Sequence, residues 1–526
     1  MVLSLLCRSA ALIIVLCIFR QAHGGKLLVV PTDGSHWLSM RPVLQRLAQI
    51  GHEVVVLSPE ASLNIDESDL YITKTYSVLY SKPELVSIFE KFGGDHFKPS
   101  YIPAITMYNS MRDLLETFRE VCNGLLSNAE LIQSVKDEKF DALFTDPFSM
   151  CGMILAEYLD LPTVTFLRGM PCSLDHTSAQ CPLPFSYVPR IFTQYSDKMT
   201  FSQRVKNVLV RMLEYYYCGV SYLPWLEMAS VLLKKEVTFE QLLSRTSIWL
   251  MRYDFVFEFP KPVMPNMVFI GGVNCKPPKQ LNMDFENLVN SSGEHGFVVF
   301  SLGSMVSEIP MNKAMDIAEA LGSIPQTVIW RYTGKVPSNL ANNTHLVKWL
   351  PQNDLLAHPK VRAFITHAGS HGIYEGICNA VPMVMLPLFG DQMDNAKRIE
   401  SRGAGVTLNV LDMTPEDLSN ALDRVINDPS FKKNIDRLSA LHLDRPVHPL
   451  DLAVHWVEFV MRHKGAPHLR PAAHDLNWIQ YHSLDVFAFL LAVLVTTLFI
   501  SFKCCTYTCR RCCGRKSRPK SKSKKE

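Results

Sequence analysis

The feature that most constrains the fold of this chain is an alternation of short apolar strands and helices that occurs in both of its halves. In the first half, Lys26 to Pro31 is a predicted strand, a turn over residues 32–36 leads to a helix from about Leu38 to Ile50, and His52 to Leu57 is the next strand. Strand–helix–strand units of this kind form doubly wound parallel sheets. The first half therefore predicts a Rossmann-like domain over residues 25–280.

A proline-rich stretch separates this alternation from a second one. Residues 259–278 contain five prolines, a composition typical of an interdomain connection. Beyond it, strands are predicted at Phe297–Leu302, Thr327–Arg331, Leu346–Trp349, Ala363–Thr366 and Met383–Leu386. A second Rossmann-like domain is expected over residues 281–440. The predicted fold class is α/β, with two doubly wound domains that face each other across a ligand-binding cleft.

Both ends of the chain point to a membrane. Arg8 precedes an apolar run from Ala10 to Phe19, and small residues follow it, so residues 1–24 are predicted to be a cleaved signal peptide. A retained signal anchor is the alternative, although the run is short for a span. Val486 to Phe502 is an uninterrupted apolar or hydroxyl-bearing run. At about 1.5 Å per residue it can cross a bilayer core of about 30 Å, so residues 485–502 are the predicted transmembrane helix.

The tail, residues 503–526, holds ten of the 53 Lys and Arg residues of the chain and one of its 50 acidic residues. This is the positive-inside pattern, which predicts a single-pass type I protein with a cytosolic tail and lumenal domains. Lys522 and Lys524 resemble a retrieval signal of the endoplasmic reticulum. Without the tail the chain is mildly acidic, so no nucleic-acid partner is expected.

The densest polar cluster lies in the second half. Its motifs are Trp349-Leu350-Pro351-Gln352, then Thr366-His367-Ala368-Gly369-Ser370, Glu375, and Gly390-Asp391-Gln392. The loop at Gly369 joins a predicted strand to a helix. Backbone N–H groups at a helix start, with small residues that allow close approach, form a site for a diphosphate.

These motifs resemble the signature of UDP-glycosyltransferases, and their residues are close to those of vertebrate UDP-glucuronosyltransferases. The resemblance covers the whole chain and is strongest from Phe297 to Leu484. It implies a GT-B type fold and a transfer of glucuronic acid from UDP-glucuronate, as co-substrate and without another cofactor, to small lipophilic acceptors. It also implies that helices in residues 441–484 return to the N-terminal domain, and that the chain associates with copies of itself or with related enzymes.

The resemblance assigns most of the donor site. It places the diphosphate at His367, Gly369 and Ser370, the uracil on Trp349, the ribose at Gln352 and Glu375, and the sugar hydroxyls at Asp391 and Gln392. Ser304, in the first strand–helix turn of this half, would add a hydroxyl to the phosphates. The glucuronate carboxylate requires a cation, for which Arg252 and Arg331 are the candidates; both are equally compatible with structural salt bridges.

The candidate base is His36, because it follows the first strand at the end where doubly wound sheets bind ligands. Asp146 follows another strand of the same domain, Ala142 to Thr145. In the family that the chain resembles, the equivalent residues pair, and the carboxylate orients and stabilises the imidazole. The pair would accept the proton of an acceptor hydroxyl or carboxyl group, and direct displacement would invert the configuration of the sugar.

Three alternatives stand beside this hypothesis. The same fold could use UDP-glucose or another UDP-hexose, or it could be a catalytically silent binder, which the presence of both His36 and Asp146 disfavours. A metal-dependent transferase would need an acidic metal motif. The sequence contains none, so no essential metal is expected.

Three further features carry expectations. Ala380 stands where close relatives usually have glycine, which costs about 1 kcal/mol if the position requires a positive φ. Asn290 and Asn342 lie in glycosylation sequons that a lumenal domain would make usable. The seven cysteines between the leader and the span determine no disulfide pairing.

Overall fold

The computed structural model describes residues 24–97, 103–303, 306 and 308–513, with residues 103–111 described by their backbone only. The chain divides into one compact unit that ends at Arg470 and a second that begins at Pro471. The predicted leader, apart from Gly24, and the end of the tail lie outside the described residues.

Seven parallel strands form the first sheet, in the order β3-β2-β1-β4-β5-β6-β7. Leu28 of β1 pairs with Val55 of β2 on one side and with Leu143 of β4 on the other. The strands are β1 Lys26–Val30, β2 Glu53–Pro59, β3 Ile72–Tyr76, β4 Ala142–Thr145, β5 Thr163–Leu167, β6 Thr246–Met251 and β7 Met267–Phe269.

Helices cover both faces of this sheet, and each face has its own apolar core. The helices of the first half are α1 Ser35–Gln49, α2 Lys82–Asp95, α3 Pro103–Leu126, α4 Ala129–Asp137, α5 Cys151–Leu159, α6 Leu174–Ser178, α7 Phe201–Leu233 and α8 Phe239–Leu243, with 3₁₀ turns at Pro147–Ser149 and Pro171–Ser173. Burial on both faces explains why the strands are apolar along their whole length.

Six parallel strands form the second sheet, in the order β10-β9-β8-β11-β12-β13, and it also has a core on each face. Its strands are β8 Phe297–Ser301, β9 Thr327–Arg331, β10 Thr344–Val347, β11 Val361–Thr366, β12 Met383–Met385 and β13 Gly405–Thr407. Its helices are α9 Met283–Ser291, α10 Met311–Gly322, α11 Gln352–Leu356, α12 Ser370–Cys378, α13 Gln392–Glu400, α14 Pro415–Asn427 and α15 Pro429–Leu443. The predicted α/β architecture of two doubly wound sheets is confirmed.

Several predicted boundaries differ from the structure by one to three residues, and two of them have a physical explanation. Helix α1 begins at Ser35 rather than near Leu38, because Gly34 turns the chain with a φ of 74° and the helix starts directly after it. Strand β10 ends at Val347 rather than Trp349. It pairs only with β9, whose last residue, Arg331, lies opposite Val347, so no partner remains for the next residues.

Helix α16, Pro449–His463, follows the second sheet in sequence but packs on the first. Ala453, Val454 and Val457 join the same buried core as Trp37 of α1. The chain therefore crosses back to the first half, and a 3₁₀ turn at Pro467–Leu469 follows.

Three disulfides connect Cys122 with Cys151, Cys172 with Cys218, and Cys275 with Cys378. The last one ties the interdomain connection to the end of α12. Cys181 is the remaining one of the seven cysteines between the leader and the span. It is buried and forms no disulfide, and burial raises its pKa to about 11.

The second unit contains a 3₁₀ turn at Ala472–Asp475, the short helix α17, Trp478–Tyr481, and the helix α18, Leu484–Cys513. Helix α18 has 30 residues, a mean hydropathy of 2.4 over its most apolar window, and no buried residue. It includes the whole of the predicted span and is long enough to cross a bilayer.

Candidate active site

His36 and Asp146 contact each other at the carboxyl edge of the first sheet. Strands β1 and β4 are neighbours, so the residues that follow them meet. The Nδ1 atom of His36 lies 2.6 Å from Oδ2 of Asp146. The carboxylate is 1% exposed, and its Oδ1 accepts the backbone N–H of Phe148 at 3.0 Å. Because Nδ1 is held by a carboxylate, the Nε2 atom of His36 is the nitrogen left to accept a proton.

The turn before His36 is organised by Asp33, which was not identified from the sequence. Its carboxylate accepts the backbone N–H groups of Gly34 at 2.6 Å, Leu63 at 2.6 Å and Asn64 at 3.1 Å. Burial raises the pKa of Asp33 despite these bonds. The residue joins the loop after β1 to the loop after β2, so it determines where α1 begins and where His36 lies.

On the second sheet, His367, Ala368 and Gly369 form the loop between β11 and the start of α12 at Ser370. A Cβ atom on Gly369 would lie 2.5 Å from Nε2 of His367, and one on Gly303 would lie 2.5 Å from its Cε1. A side chain at either position would therefore displace the imidazole, and Gly303 also has a φ of 84°, which favours glycine. Ser304, the next residue after Gly303, lies outside the described residues.

The imidazole of His367 is neutral over the physiological range. Its Nδ1 atom is buried and has no hydrogen-bond partner among the described residues. Burial, aided by the charge of Arg331 and opposed by Asp391, lowers the pKa of His367 to about 4. A neutral imidazole with an unused nitrogen can still donate a hydrogen bond to a ligand oxygen.

Arg252 reaches this loop from the first sheet. It follows β6 and is 8% exposed, and its Nη2 atom lies 3.4 Å from the hydroxyl of Ser370. Burial lowers the pKa of its guanidinium, which nevertheless remains far above neutrality. The two sheets thus contribute to one site.

A pocket opens beside Arg252. Its lining includes Ser370, His371 and Glu375 of α12, and residues 272–275 of the interdomain connection. The carboxylate of Glu375 accepts a hydrogen bond from Gln352 at the start of α11 and lies 3.4 Å from Nε2 of His371. A buried carboxylate on a pocket wall is suited to bind hydroxyl groups.

Trp349 lies two residues beyond β10, with 64% of its surface exposed. The guanidinium of Arg331 stands over its ring, 5.4 Å from the centroid, and also donates to the carbonyl of Gly303. An exposed indole next to a glycine loop provides a face for a planar ring. A core role for Trp349 is excluded by its exposure.

Asp391 and Gln392 lie at the start of α13. The amide oxygen of Gln392 accepts the backbone N–H groups of Leu388 at 2.8 Å and Phe389 at 3.1 Å, so only its NH₂ group remains for a ligand. Asp391 is 36% exposed in its side chain, and its Oδ2 accepts the amide of Asn395 at 2.9 Å. Asn395 was missed from the sequence, where only its i+4 spacing from Asp391 marks it.

The other sequence predictions fall outside this cleft. Asn290 and Asn342 of the sequons are exposed. Among the described residues, the one group of ligating side chains close enough to hold an ion is Cys275, Cys378 and His442, and its two cysteines form a disulfide. That no metal is needed stays a prediction.

Comparison with known proteins agrees with this geometry. The family model described as "UDP-glucoronosyl and UDP-glucosyl transferase" matches residues 25–519. UDP-glucuronosyltransferase 1A6 of Homo sapiens is 60% identical over 519 residues, 98% of each chain. UDP-glucuronosyltransferase 1A1 of Rattus norvegicus is 59% identical over 531 residues, 99% of each chain.

Solved structures show the same fold at low identity. Os79 from O. sativa, solved with U2F and trichothecene, has a TM-score of 0.56 at 16% identity and matches 84% of this chain and 100% of its own. The glycosyltransferase VinC, solved with DTDP, has a TM-score of 0.54 at 17% identity, over 84% of this chain and 99% of its own. These likenesses confirm the GT-B type arrangement.

Proposed function

The chain belongs to the UDP-glucuronosyl and UDP-glucosyl transferase family, and from this premise we propose that it transfers glucuronic acid from UDP-glucuronate to hydroxyl or carboxyl groups of small lipophilic compounds. Relatives that are 59–60% identical over nearly the whole chain carry the name UDP-glucuronosyltransferase. The contact of His36 with Asp146 carries the catalytic part of the proposal.

In the proposed reaction, His36 Nε2 takes the proton of the acceptor O–H group while the oxygen bonds to the anomeric carbon of the donor. The bond from that carbon to the diphosphate oxygen breaks, and UDP leaves with its electron pair. Asp146 holds the ring by Nδ1–H and stabilises the imidazolium that forms. Attack from the face opposite to UDP turns an α-linked donor into a β-glucuronide.

The departing UDP carries the charge that the donor loop must stabilise. Backbone N–H groups at the start of α12, the hydroxyl of Ser370 and the neutral imidazole of His367 are hydrogen-bond donors in this loop, and Arg252 adds a positive charge. The exposed ring of Trp349 would stack on the uracil. Gln352 and Glu375 would bind the ribose, since they share a hydrogen bond at the pocket wall.

The sugar itself would contact Asp391 and Gln392. Two arginines are candidates for its carboxylate. Arg331 stands over Trp349, the proposed uracil face, whereas Arg252 lies against the diphosphate loop, nearer to where the sugar is attached. Arg252 is therefore the better candidate for the selection of glucuronate over glucose.

The location is also a proposal. A signal peptide, one apolar C-terminal helix and a basic tail with a lysine signal support a single-pass type I protein of the endoplasmic reticulum. Both halves would then lie in the lumen and the tail in the cytosol. Association with copies of itself or with related enzymes would occur within that membrane.

The test is an assay of microsomes that express the chain with UDP-glucuronate or UDP-glucose and a panel of phenols. His36→Ala is expected to lower turnover of UDP-glucuronate by about 10²–10⁴-fold, the usual contribution of a general base. His52→Ala is the matched control, because His52 also contacts a carboxylate, Glu458 at 3.0 Å, but lies away from the cleft.

Each alternative predicts a different result. Product from UDP-glucose alone would mean that the donor sugar is glucose, and the proposed role of His36 as the base would stand. Full activity of His36→Ala would refute the role of the base. Wild-type protein that binds UDP but makes no product from either donor would favour the silent binder.

A further inference from the structure

Arg168 crosses from the first half of the molecule to the donor side of the cleft. It follows β5 and is 16% exposed in its side chain. Its Nη2 atom donates to the side-chain oxygen of Asn395 at 3.0 Å, and its Nε atom lies 3.6 Å from Oδ2 of Asp391. The first half is here called the acceptor half, because it carries the proposed base for the acceptor. A residue of the acceptor half therefore contacts the start of α13, where the proposed sugar-binding carboxylate lies.

Asn395 links three parts of the site. It is completely buried, and its amide donates both to Asp391, at 2.9 Å, and to the backbone carbonyl of Ala368 in the diphosphate loop, at 3.1 Å. Its oxygen accepts the hydrogen bond of Arg168. A shift of Arg168 would therefore reach Asp391 both directly and through Asn395, whereas the bond to Ala368 is one that Asn395 makes without Arg168.

The guanidinium of Arg168 is held in place on all sides. Nη1 donates to Glu258 at 2.9 Å, and the rings of Tyr253 and Phe257 lie 5.5 Å from its central carbon. Burial alone would raise the pKa of Glu258, but the cations around it, of which Arg398 and Arg168 are the strongest, hold that pKa well below its usual value. The pair is ionised at any pH at which the enzyme works.

The Nε atom of Arg168 differs from its two Nη atoms, each of which donates a hydrogen bond. It is buried and makes no hydrogen bond to the described residues, although Asp391 lies 3.6 Å away. A small movement of either residue would complete that bond. With that bond, the guanidinium would hold Asp391 through Nε and Asn395 through Nη2.

Other contacts bind α13 to the first half in the same way. Asp394 accepts the backbone N–H groups of Phe192 at 2.7 Å and Gln194 at 3.0 Å, and Arg398 pairs with Glu258. The helix that begins at the sugar site is thus attached to the acceptor half along one face. Arg168 is the member of this set that touches Asp391.

We propose that Arg168 is a positioning residue for the donor sugar: it holds Asp391, directly and through Asn395, where that carboxylate binds the hexose hydroxyls, and so couples the acceptor half to donor recognition. The inference rests on the proposed function, which assigns Asp391 to the sugar. It predicts a contribution to the binding of any UDP-hexose and none to the binding of UDP, because UDP has no hexose.

The experiment uses the full chain in microsomes with Arg168→Gln and Arg168→Lys. Michaelis constants are measured for UDP-glucuronate and for a phenol, and inhibition constants are measured for UDP-glucose and UDP. Arg402→Gln is the matched control. Arg402 belongs to the same cluster, but it donates only to the backbone carbonyls of Glu258 and Arg398.

For Arg168→Gln, the Michaelis constant of UDP-glucuronate and the inhibition constant of UDP-glucose are both expected to rise about tenfold, since hydrogen bonds to charged groups are lost. The constants for UDP and for the phenol should stay within about twofold. Lysine keeps the charge but not the fork-shaped donor, so the Michaelis constant of UDP-glucuronate for Arg168→Lys should lie between those of the wild type and Arg168→Gln. Arg402→Gln should leave every constant within about twofold.

Three results would overturn the proposal. An equal rise for UDP would mean that the whole donor site is distorted. A rise for UDP-glucuronate but not UDP-glucose would mean that Arg168 binds the carboxylate directly. No change in any constant would mean that Asp391 needs no support. If the wild type makes no glucuronide, the proposed donor fails separately, and the dissociation constants of UDP-glucose and UDP, measured by calorimetry on the detergent-solubilised wild type and Arg168→Gln, then decide the role of Arg168.

Discussion

At the scale of single residues, the surroundings of His367 contrast with those of His36. His36 has a carboxylate partner, whereas Nδ1 of His367 is buried without a partner among the described residues, and the pKa of His367 falls from 6.5 to about 4. The unfolded chain therefore binds more protons between these two values. The contribution of neutral His367 to the free energy of unfolding is fully present above pH 6.5 and is lost as the pH falls towards about 4.

This gives a prediction for His367→Asn. The detergent-solubilised variant should lose less thermal stability than the wild type when the pH is lowered from about 7 to about 5, because asparagine does not titrate. The midpoint of thermal unfolding at each pH measures the effect. His295→Asn, at an exposed histidine, is the control and should keep the wild-type dependence. If the midpoint of thermal unfolding changed equally with pH in all three proteins, the burial of His367 would be contradicted.

Ala380 provides a second test at this scale. Its φ is 54°, so the position that was expected to favour glycine does adopt the left-handed conformation. Ala380→Gly should raise the free energy of unfolding by about 0.5–1 kcal/mol, because removal of Cβ relieves more strain than the added freedom of the unfolded chain costs. Ala357→Gly, at a helix end with a φ of −78°, should instead destabilise. Thermal midpoints of both variants decide the sign.

The residues of the site were predictable to different degrees. Their positions after strands placed His36 and Asp146 in one domain, the family resemblance implied their pairing, and the contact agrees with it. The structure also reveals Asp33 and Asn395, whose partners lie far along the chain or in backbone atoms. Nothing in the local sequence identifies an aspartate that binds N–H groups about thirty residues away.

At the scale of elements, the start of α1 is the feature on which the proposed base depends. No side chain caps this helix; Gly34 turns the chain, and Asp33 holds the turn against the loop after β2. Helix patterns in sequence reveal starts mainly through capping side chains, so the start was placed three residues late. No strand is predicted from the sequence at β3, β5, β6, β7 or β13, and of these β7 and β13 have only three residues each, which leaves little room for a periodic pattern.

The turn gives the third prediction. Asp33→Ala should lower turnover more than it changes the Michaelis constant of UDP-glucuronate, because alanine cannot accept the three N–H groups and α1 would shift with His36. Loss of such a buried acceptor should cost about 1–3 kcal/mol of stability. Asp66→Ala, at an exposed position near the same loop, is the control. A variant with normal turnover despite reduced stability would show that the turn supports only the fold.

At the scale of the whole molecule, the site is made by two sheets whose carboxyl edges supply different functions. The ends of β1, β4 and β6 carry the proposed base pair and Arg252, whereas the ends of β8 and β11 carry the loops around His367. The alternation of strands and helices sufficed to predict that each half is a doubly wound domain, but it predicted only β1, β2 and β4 of the first sheet and β8 to β12 of the second. Contacts between the sheets, such as that of Arg252 with Ser370, depend on how the halves dock and left no pattern in the sequence.

The orientation in the membrane gives the last prediction. If both halves are lumenal, the exposed sequon residues Asn290 and Asn342 should carry glycans. Asn290→Gln and Asn342→Gln should then each increase the electrophoretic mobility by one step, and treatment of the wild type with endoglycosidase should produce both steps. Asn339→Gln, an exposed asparagine outside a sequon, should remove none. In sealed microsomes, added protease should cleave only the basic tail, since α18 would cross the bilayer. Unglycosylated protein that protease degrades completely would place the domains in the cytosol and refute the type I arrangement.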